Sequence, residues 1–221
     1  MEHRILLKKI EHVNHNVVHL ITEKPSDYYF VPGQATELSI DKDGFRKEKR
    51  PFTFTSLPED DELEFTIKVY PSHKGVTNEL QHLKVGDHLL IGDSWGAINY
   101  KGKGSFIAGG AGITPFIAIL KDLKYKGELS GNKLFFSNHK EKDIIYKNNL
   151  EEWLGEDLHF TLSKENRDAY NKGHINKELL QKYNLEISKP VYLCGPPQMM
   201  DNVTSDLYEM GLPKSLLVTE E

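Results

Sequence analysis

Hydrophobic and polar positions change rhythm near residue 100. Before it, apolar residues come in short runs cut by Gly, Pro, Asn and Asp, the pattern of strands joined by turns. Runs at 5–13 and 17–22 flank Asn14-His15-Asn16 and predict a hairpin, and Pro32-Gly33 introduces a strand at 35–40. Further strands are predicted at 50–56, 63–70 and 89–92, with a short amphipathic helix at 77–83 and the acidic turn 58–62 between them. Six strands with frequent turns predict a small closed antiparallel barrel over 1–100, closure removing exposed strand edges.

The glycine-rich stretch 100–104 is the predicted linker. Beyond it, strands at 106–108, 133–137, 159–162, 191–193 and 216–218 alternate with helices at 115–126, 148–154, 176–183 and 198–210. This alternation predicts a second domain over 104–221, a five-stranded parallel sheet with helices on both faces. Ligands of such sheets sit beyond the carboxyl ends of the strands, where residues 109–114 and 194–197 fall.

Composition narrows the chemistry. The 221 residues are 38% hydrophobic and 28% charged, ordinary for a globular protein of two domains. A net charge of -5 gives no footprint for nucleic acid. No apolar run approaches the ~20 residues needed to span a bilayer, and no signal-peptide core follows the charged start, so the expected location is cytoplasmic. One cysteine, Cys194, leaves no intramolecular disulfide, no Cys-rich zinc site and no Cys-ligated iron-sulfur cluster on this chain. His12, His15 and His19 fall in the predicted hairpin, where strand geometry keeps them from converging, so no metal site is expected. Arg46, Lys47, Lys49 and Arg50 form the one dense basic stretch, read as a solvated hairpin end or a docking patch for an acidic partner.

Candidate chemistry centres on the turn after residue 108. Gly109, Gly110 and Gly112 follow a buried-strand run, and Pro115 opens a helix. Without Cβ atoms a ligand comes close to the backbone, and free N–H groups at the helix start point at an anion such as a dinucleotide pyrophosphate. The pattern is Gly-x-Gly-x-x-Pro and not Gly-x-Gly-x-x-Gly, so an ordinary β-α turn is the competing reading. Three more stretches line up with it in order: Arg50-Pro-Phe-Thr-x-x-Ser56, Lys74-Gly-Val-Thr77 before a helix, and Cys194-Gly-Pro-Pro-Gln-Met199. Together they resemble the ferredoxin-NADP reductase family over nearly the whole chain.

That resemblance implies an FAD-binding barrel followed by a Rossmann-like NAD(P)-binding domain. It puts Arg50 and the adjoining Pro51 at the flavin nucleotide, with the forked Arg50 guanidinium on its pyrophosphate. Phe52 stands where the family usually has a tyrosine stacked on the isoalloxazine, so an aromatic face remains for stacking but no hydroxyl reaches the ribityl chain. Thr53 falls near flavin N5, and Ser56 supports the same strand. Lys68, Val69 and Tyr70 run beside the flavin; Gly75, Val76 and Thr77 offer a helix start to the pyrophosphate. Gly110, Gly112 and Thr114 would receive the nicotinamide nucleotide, with Cys194 and Gly195 facing its C4. Ser163 and Lys164 resemble a Ser-Arg pair that grips a 2'-phosphate. A lysine lacks the fork, so NADPH and NADH both stay open. The closing stretch Leu216-Leu-Val-Thr-Glu-Glu221 departs from the plant-type pattern, in which an aromatic covers the flavin, and the register of Glu220 and Glu221 is not fixed by the sequence.

The implied reaction is hydride transfer from a reduced nicotinamide to FAD, with Thr53 and Cys194 lining the junction. Electrons then leave for a separate carrier, expected to be acidic flavodoxin or ferredoxin docking on Arg46, Lys47 and Lys49, and the protein is expected to be a monomer. Two alternatives are a flavin reductase releasing reduced free flavin and a non-catalytic nucleotide-binding subunit.

Overall fold

The structure is a computed structural model that describes residues 1–70, 75–96 and 98–220. Six strands form the first sheet: β1 His3–Asn14, β2 Val17–Glu23, β3 Ala35–Ile40, β4 Arg50–Thr53, β5 Glu62–Lys68 and β6 His88–Trp95. Their order is β4-β3-β6-β1-β2-β5, with every neighbour antiparallel. β4 and β5 stand at opposite ends of that order, yet they meet through the Phe54–Phe65 bridge and a 2.8 Å bond from Thr55 N–H to Glu64 C=O. The sheet therefore closes into the expected barrel, around Ile5, Leu20, Leu38, Phe54, Phe65 and Ile91. The Asn14 side chain accepts the Asn16 N–H at 3.0 Å and makes the β1–β2 turn.

The expected helix at 77–83 is shorter. It is α1, Val76–Glu79, followed by a 3-10 turn over Leu80–His82. Gly75 is its N-cap, so Thr77 stands inside the first turn, and the lysine at 74 lies outside the described residues.

The second sheet contains β7 Ser105–Gly109, β8 Lys133–Asn138, β9 Leu158–Leu162, β10 Asn171–Lys172, β11 Val191–Cys194 and β12 Leu217–Thr219. All its pairs are parallel, in the order β10-β9-β8-β7-β11-β12. It has six strands and not five. β10 is two residues of Asn and Lys with no apolar alternation to announce it, and it pairs only with Thr161 and Leu162. Helices α2 Thr114–Tyr125, α3 Lys147–Leu154, α4 Lys177–Lys182 and α5 Pro197–Glu209 cover both faces. Phe106, Leu134, Phe136 and Phe160 pack on the α2–α3 side, and Ile107, Phe135, Val191 and Leu193 on the α4–α5 side. Burial on both sides explains why these strands read as continuous apolar runs.

From β7 the chain moves outward through β8, β9 and β10, then returns to β11 on the other side of β7. The crevice at that reversal is the usual ligand site of an open α/β sheet.

The two domains are packed, not merely joined. The 100–104 linker is tied to the second domain: the Tyr192 hydroxyl accepts the Lys101 N–H and donates to Gly102 C=O, both at 2.8 Å, and Tyr100 donates to Asn132 at 3.2 Å. Val17 of β2 is fully buried in the second domain's core. Gly33 has φ +99, and a Cβ there would stand 2.2 Å from Ile98 C=O, so only glycine fits. Lys121 of α2 donates to Thr55 C=O at 2.6 Å and to Glu64 Oε2 at 2.8 Å on the barrel.

Candidate active site

Two turns meet at the sheet's reversal. The first runs from the end of β7 through a 3-10 turn, Gly110–Ile113, into α2; the second joins β11 to α5. A Cβ on Gly112 would lie 2.3 Å from Cys194 C=O and 2.7 Å from Gly195 N. One on Gly109 would lie 2.4 Å from Met199 Sδ, and one on Gly195 would lie 3.2 Å from Gly109 N. The three glycines let two backbone turns touch. Gly110 differs: it needs φ +53, and its missing Cβ points only toward Lys68 Nζ, 3.9 Å away. Thr114 anchors the turn by donating to Ala111 C=O at 3.1 Å.

Lys68 ends β5, so a barrel cation faces the glycine turn of the other domain. Its neighbour Tyr70 is 44% exposed with its ring 5.8 Å from Lys68 Nζ, while Val69 is buried. Lys164 and His174 belong to the same positive field. His139, after β8, is held below the ordinary imidazole value first by burial and then by Lys164, Lys68 and His174. Its Nδ1 lies 2.9 Å from Ser163 Oγ, which brings the ends of β8 and β9 together. Among the described residues neither Lys68 nor Lys164 has a carboxylate partner. The Gly110 turn with Lys68 beside it fits a nucleotide's phosphates.

On the barrel, Arg50, Phe52 and Thr53 lie in β4, with Phe52 opposite Thr36 and Thr53 opposite Ala35. Period-two alternation sends Phe52 and Thr53 to opposite sides of the strand. Phe52 packs partly against the barrel cluster and Thr53 is 9% exposed. Arg50 and Pro51 are exposed; the guanidinium touches only Glu48, at 3.3 Å, and Lys49 C=O among the described residues. An exposed pair of that kind is worth little and leaves the fork open to a phosphate. Ser56 is fully buried and accepts the Glu64 N–H at 3.1 Å, so it acts through barrel closure and not by touching a ligand. Val76 is buried and Gly75 has open space around its missing Cβ, so this turn presents backbone.

Cys194 ends β11, 7% exposed, and its thiol is pushed up first by burial and then by the Glu220 carboxyl beside it. Burial likewise raises Glu220, against a hydrogen bond with Cys194 that lowers it. The site thus holds a neutral thiol. The sequence alone does not assign Glu220, but the β11–β12 register pairs Leu193 with Thr219, and the next residue on each strand is Cys194 and Glu220. A glutamate one residue past the last strand was the available signal.

Most cations of the basic stretch have carboxylate neighbours. Arg46 is paired with Asp41 and Asp43, Lys49 with Glu2, and Arg50 with Glu48, acids that fold back from the same hairpin and from the N-terminus. In the β1–β2 hairpin, His15 pairs with Asp143 at 3.3 Å and His19 with Glu64 at 3.5 Å. No group of three or more His, Cys, Asp or Glu suited to a metal occurs among the described residues, and no helix there is long and apolar enough to cross a membrane.

Two family models match. Residues 2–96 match an FAD-binding domain and residues 106–205 an oxidoreductase NAD-binding domain. The chain is 31% identical over 192 residues to NADH-cytochrome b5 reductase 1 of Homo sapiens, covering 68% of this chain and 62% of that protein. It is 28% identical over 207 residues to the reductase component of propane 2-monooxygenase from Mycolicibacterium goodii, covering 86% and 58%. The chain thus spans about 60% of the length of these curated relatives. Among solved structures, a ferredoxin NADP+ reductase from Neisseria gonorrhoeae with bound FAD and NADP superposes with a TM-score of 0.85 at 18% identity, over 99% of this chain and 98% of that one. The CS-b5R domains of human Ncb5or give 0.87 at 25% identity, over 100% and 70%. Barrel, switch-point crevice and both domain matches agree: the chain belongs to the ferredoxin-NADP reductase-like family of FAD- and NAD(P)-binding flavoprotein oxidoreductases.

Proposed function

We propose that the protein oxidises NADH or NADPH and hands the electrons to a separate carrier. The observation that carries this is the contact of the Gly112 and Cys194–Gly195 turns at the sheet reversal, with Lys68 of the barrel facing Gly110 across the cleft. FAD, when bound, supplies a ring nitrogen that takes a hydride from nicotinamide C4 and then releases electrons singly or in pairs.

The chain's own residues bind and orient. Arg50 and the Gly75–Val76–Thr77 turn hold the flavin nucleotide's pyrophosphate, and Phe52 gives its ring an aromatic face. Thr53 presents a hydroxyl from the next position on β4, at the hydride-accepting edge. Gly110, Gly112, Thr114 and Lys68 take the nicotinamide nucleotide's pyrophosphate, while Ser163 and Lys164 take the far end. Lys164 is a point charge beside Ser163, a pairing that accepts NADPH without excluding NADH. Cys194 and Gly195 hold the nicotinamide over the junction. Hydride transfer requires no general base, consistent with a site that offers a neutral thiol in place of a triad.

The acceptor in this reading is a small protein carrier such as flavodoxin or ferredoxin. A single cysteine leaves no cluster ligand set on the chain, and the relatives' names, a cytochrome b5 reductase and an oxygenase reductase component, support a protein acceptor. Of the three expected docking cations only Lys47 has no carboxylate partner among the described residues, so docking draws on less charge than the basic stretch implies. Purified protein loaded with FAD is assayed with NADH and NADPH against ferricyanide, cytochrome b5, ferredoxin, flavodoxin and free FMN. Rapid reduction of one protein carrier, with free FMN slow, is the expected result; turnover with free FMN alone moves the function to a flavin reductase.

A further inference from the structure

Tyr146 stands outside the site just described, in a conformation that bulky residues avoid. It is the N-cap of α3 with φ 53 and ψ 37, in the left-handed region. The chain reaches it from Ile144 and Ile145, both buried in the second domain's core, and leaves it into α3, whose Leu150 N–H bonds back to Tyr146 C=O at 3.0 Å. A glycine or asparagine would make that turn with less strain.

The side chain accounts for the residue. Tyr146 crosses to the barrel, where its hydroxyl lies 3.0 Å from Thr66 Oγ1, and Thr66 Oγ1 lies 3.1 Å from Thr55 Oγ1. Both threonines are buried, Thr55 at 0% and Thr66 at 4% exposure. The His19 ring meets the tyrosine ring edge-on at 6.3 Å. From α2 of the same domain as Tyr146, Lys121 holds Thr55 C=O and Glu64 of the barrel at the same seam. Thr55 is two residues from Thr53, and Thr66 two residues from Lys68. The bonded seam thus holds the segment just after β4 and the end of β5, two residues from Thr53 and from Lys68.

We infer that Tyr146 is a positioning residue: its hydroxyl, through Thr66 and Thr55, sets the nucleotide domain's register on the barrel and with it the approach of the two reacting rings. This rests on the hydride-transfer reading above. A local cost in backbone strain is kept because the left-handed turn is what aims the hydroxyl across the domain boundary. Hydride transfer is steep in distance, so a small slip of register lowers the rate while every ligand-binding group stays in place.

The test uses FAD-loaded protein with three variants: Tyr146→Phe, Thr66→Val, and the double mutant. Flavin reduction is followed anaerobically at saturating NADH or NADPH, whichever reduces the wild-type protein faster, and with its 4-deuterated form, beside FAD content, melting temperature and nucleotide affinity. Tyr146→Phe and Thr66→Val are each expected to slow reduction about tenfold at unchanged nucleotide affinity, with the primary isotope effect fully expressed. The double mutant is expected to be no slower than Thr66→Val alone, because that variant already removes the Tyr146–Thr66 link together with Thr66–Thr55. Tyr125→Phe, at an exposed tyrosine, stays at the wild-type rate. Wild-type reduction rates in both single variants, or losses that multiply in the double mutant, overturn the inference, as does a lowered melting temperature with an unchanged rate. Thr66→Val decides alone if Tyr146→Phe does not hold FAD. Failure of the wild-type protein itself to be reduced by either nucleotide would instead overturn the hydride-transfer reading.

Discussion

Cys194 and Thr53 are the two small polar side chains assigned to the hydride junction, and neither is ionised there. Burial and the neighbouring Glu220 both keep the Cys194 proton on sulfur, so the residue acts by its size and weak polarity and not as a nucleophile. Replacing Cys194 by alanine removes a sulfur from the face presented to the nicotinamide and frees the Glu220 carboxyl. We expect a fall of about ten- to a hundredfold in the rate of flavin reduction with FAD content unchanged, read by stopped-flow absorbance. A loss confined to nucleotide affinity would place Cys194 in binding alone. Glu220 shows why part of this site was hidden: its place beside Cys194 follows from the parallel register of β12 on β11, and register between strands 26 residues apart, Leu193 against Thr219, is a tertiary fact.

Elements carry their own constraint at the β7–α2 and β11–α5 turns. Gly112→Ala would drive a Cβ to 2.3 Å from a backbone carbonyl that cannot step aside without moving Cys194. The variant is expected to lose nucleotide-dependent flavin reduction at least tenfold while still binding FAD on the intact barrel, measured by flavin content and single-turnover reduction. An active Gly112→Ala would mean the two turns need not touch. These turns and nearly every strand were legible because local chemistry decides them: alternating apolar residues, Asn14-His15-Asn16 between strands, and Pro115 at a helix start. β10 was not legible, since Asn171 and Lys172 pair with β9 only because the chain passes there. The shortening of α1 has a similar origin. Glycine at 75 caps it two residues before Thr77, and Leu80 turns the end into 3-10 geometry to bury itself in the barrel core. The counterions of the basic stretch were not legible for another reason: Asp41, Asp43 and Glu2 are scattered in sequence and gather only on folding.

Over the whole molecule, the proposed reaction calls for two domains held in one register, and one ion pair makes that testable. Glu64 is partly buried, which alone would raise its pKa, but the His19 imidazole 3.5 Å away and the Lys121 ammonium hydrogen-bonded at 2.8 Å outweigh burial and hold it down to about 2. Its ordinary value is 4.5, so its share of stability is complete above that pH and is lost as pH falls toward 2. With the pair about three-quarters shielded from solvent, that share is at most roughly 2–3 kcal/mol. Urea midpoints measured from pH 7 to pH 3 should fall for the wild-type protein and fall less for Glu64→Gln. Equal slopes would show that the pair does not couple the domains.

The central claim is that a nicotinamide held at Gly112 and Cys194 meets a flavin ring held at Phe52 and Thr53. The most direct measurement is anaerobic mixing of FAD-loaded protein with NADH or NADPH, following flavin absorbance and comparing the 4-deuterated nucleotide. The account predicts bleaching within seconds or faster by at least one nucleotide, slowed severalfold by deuterium. A protein that takes up no FAD, or one whose bound flavin stays oxidised with both nucleotides, would contradict it.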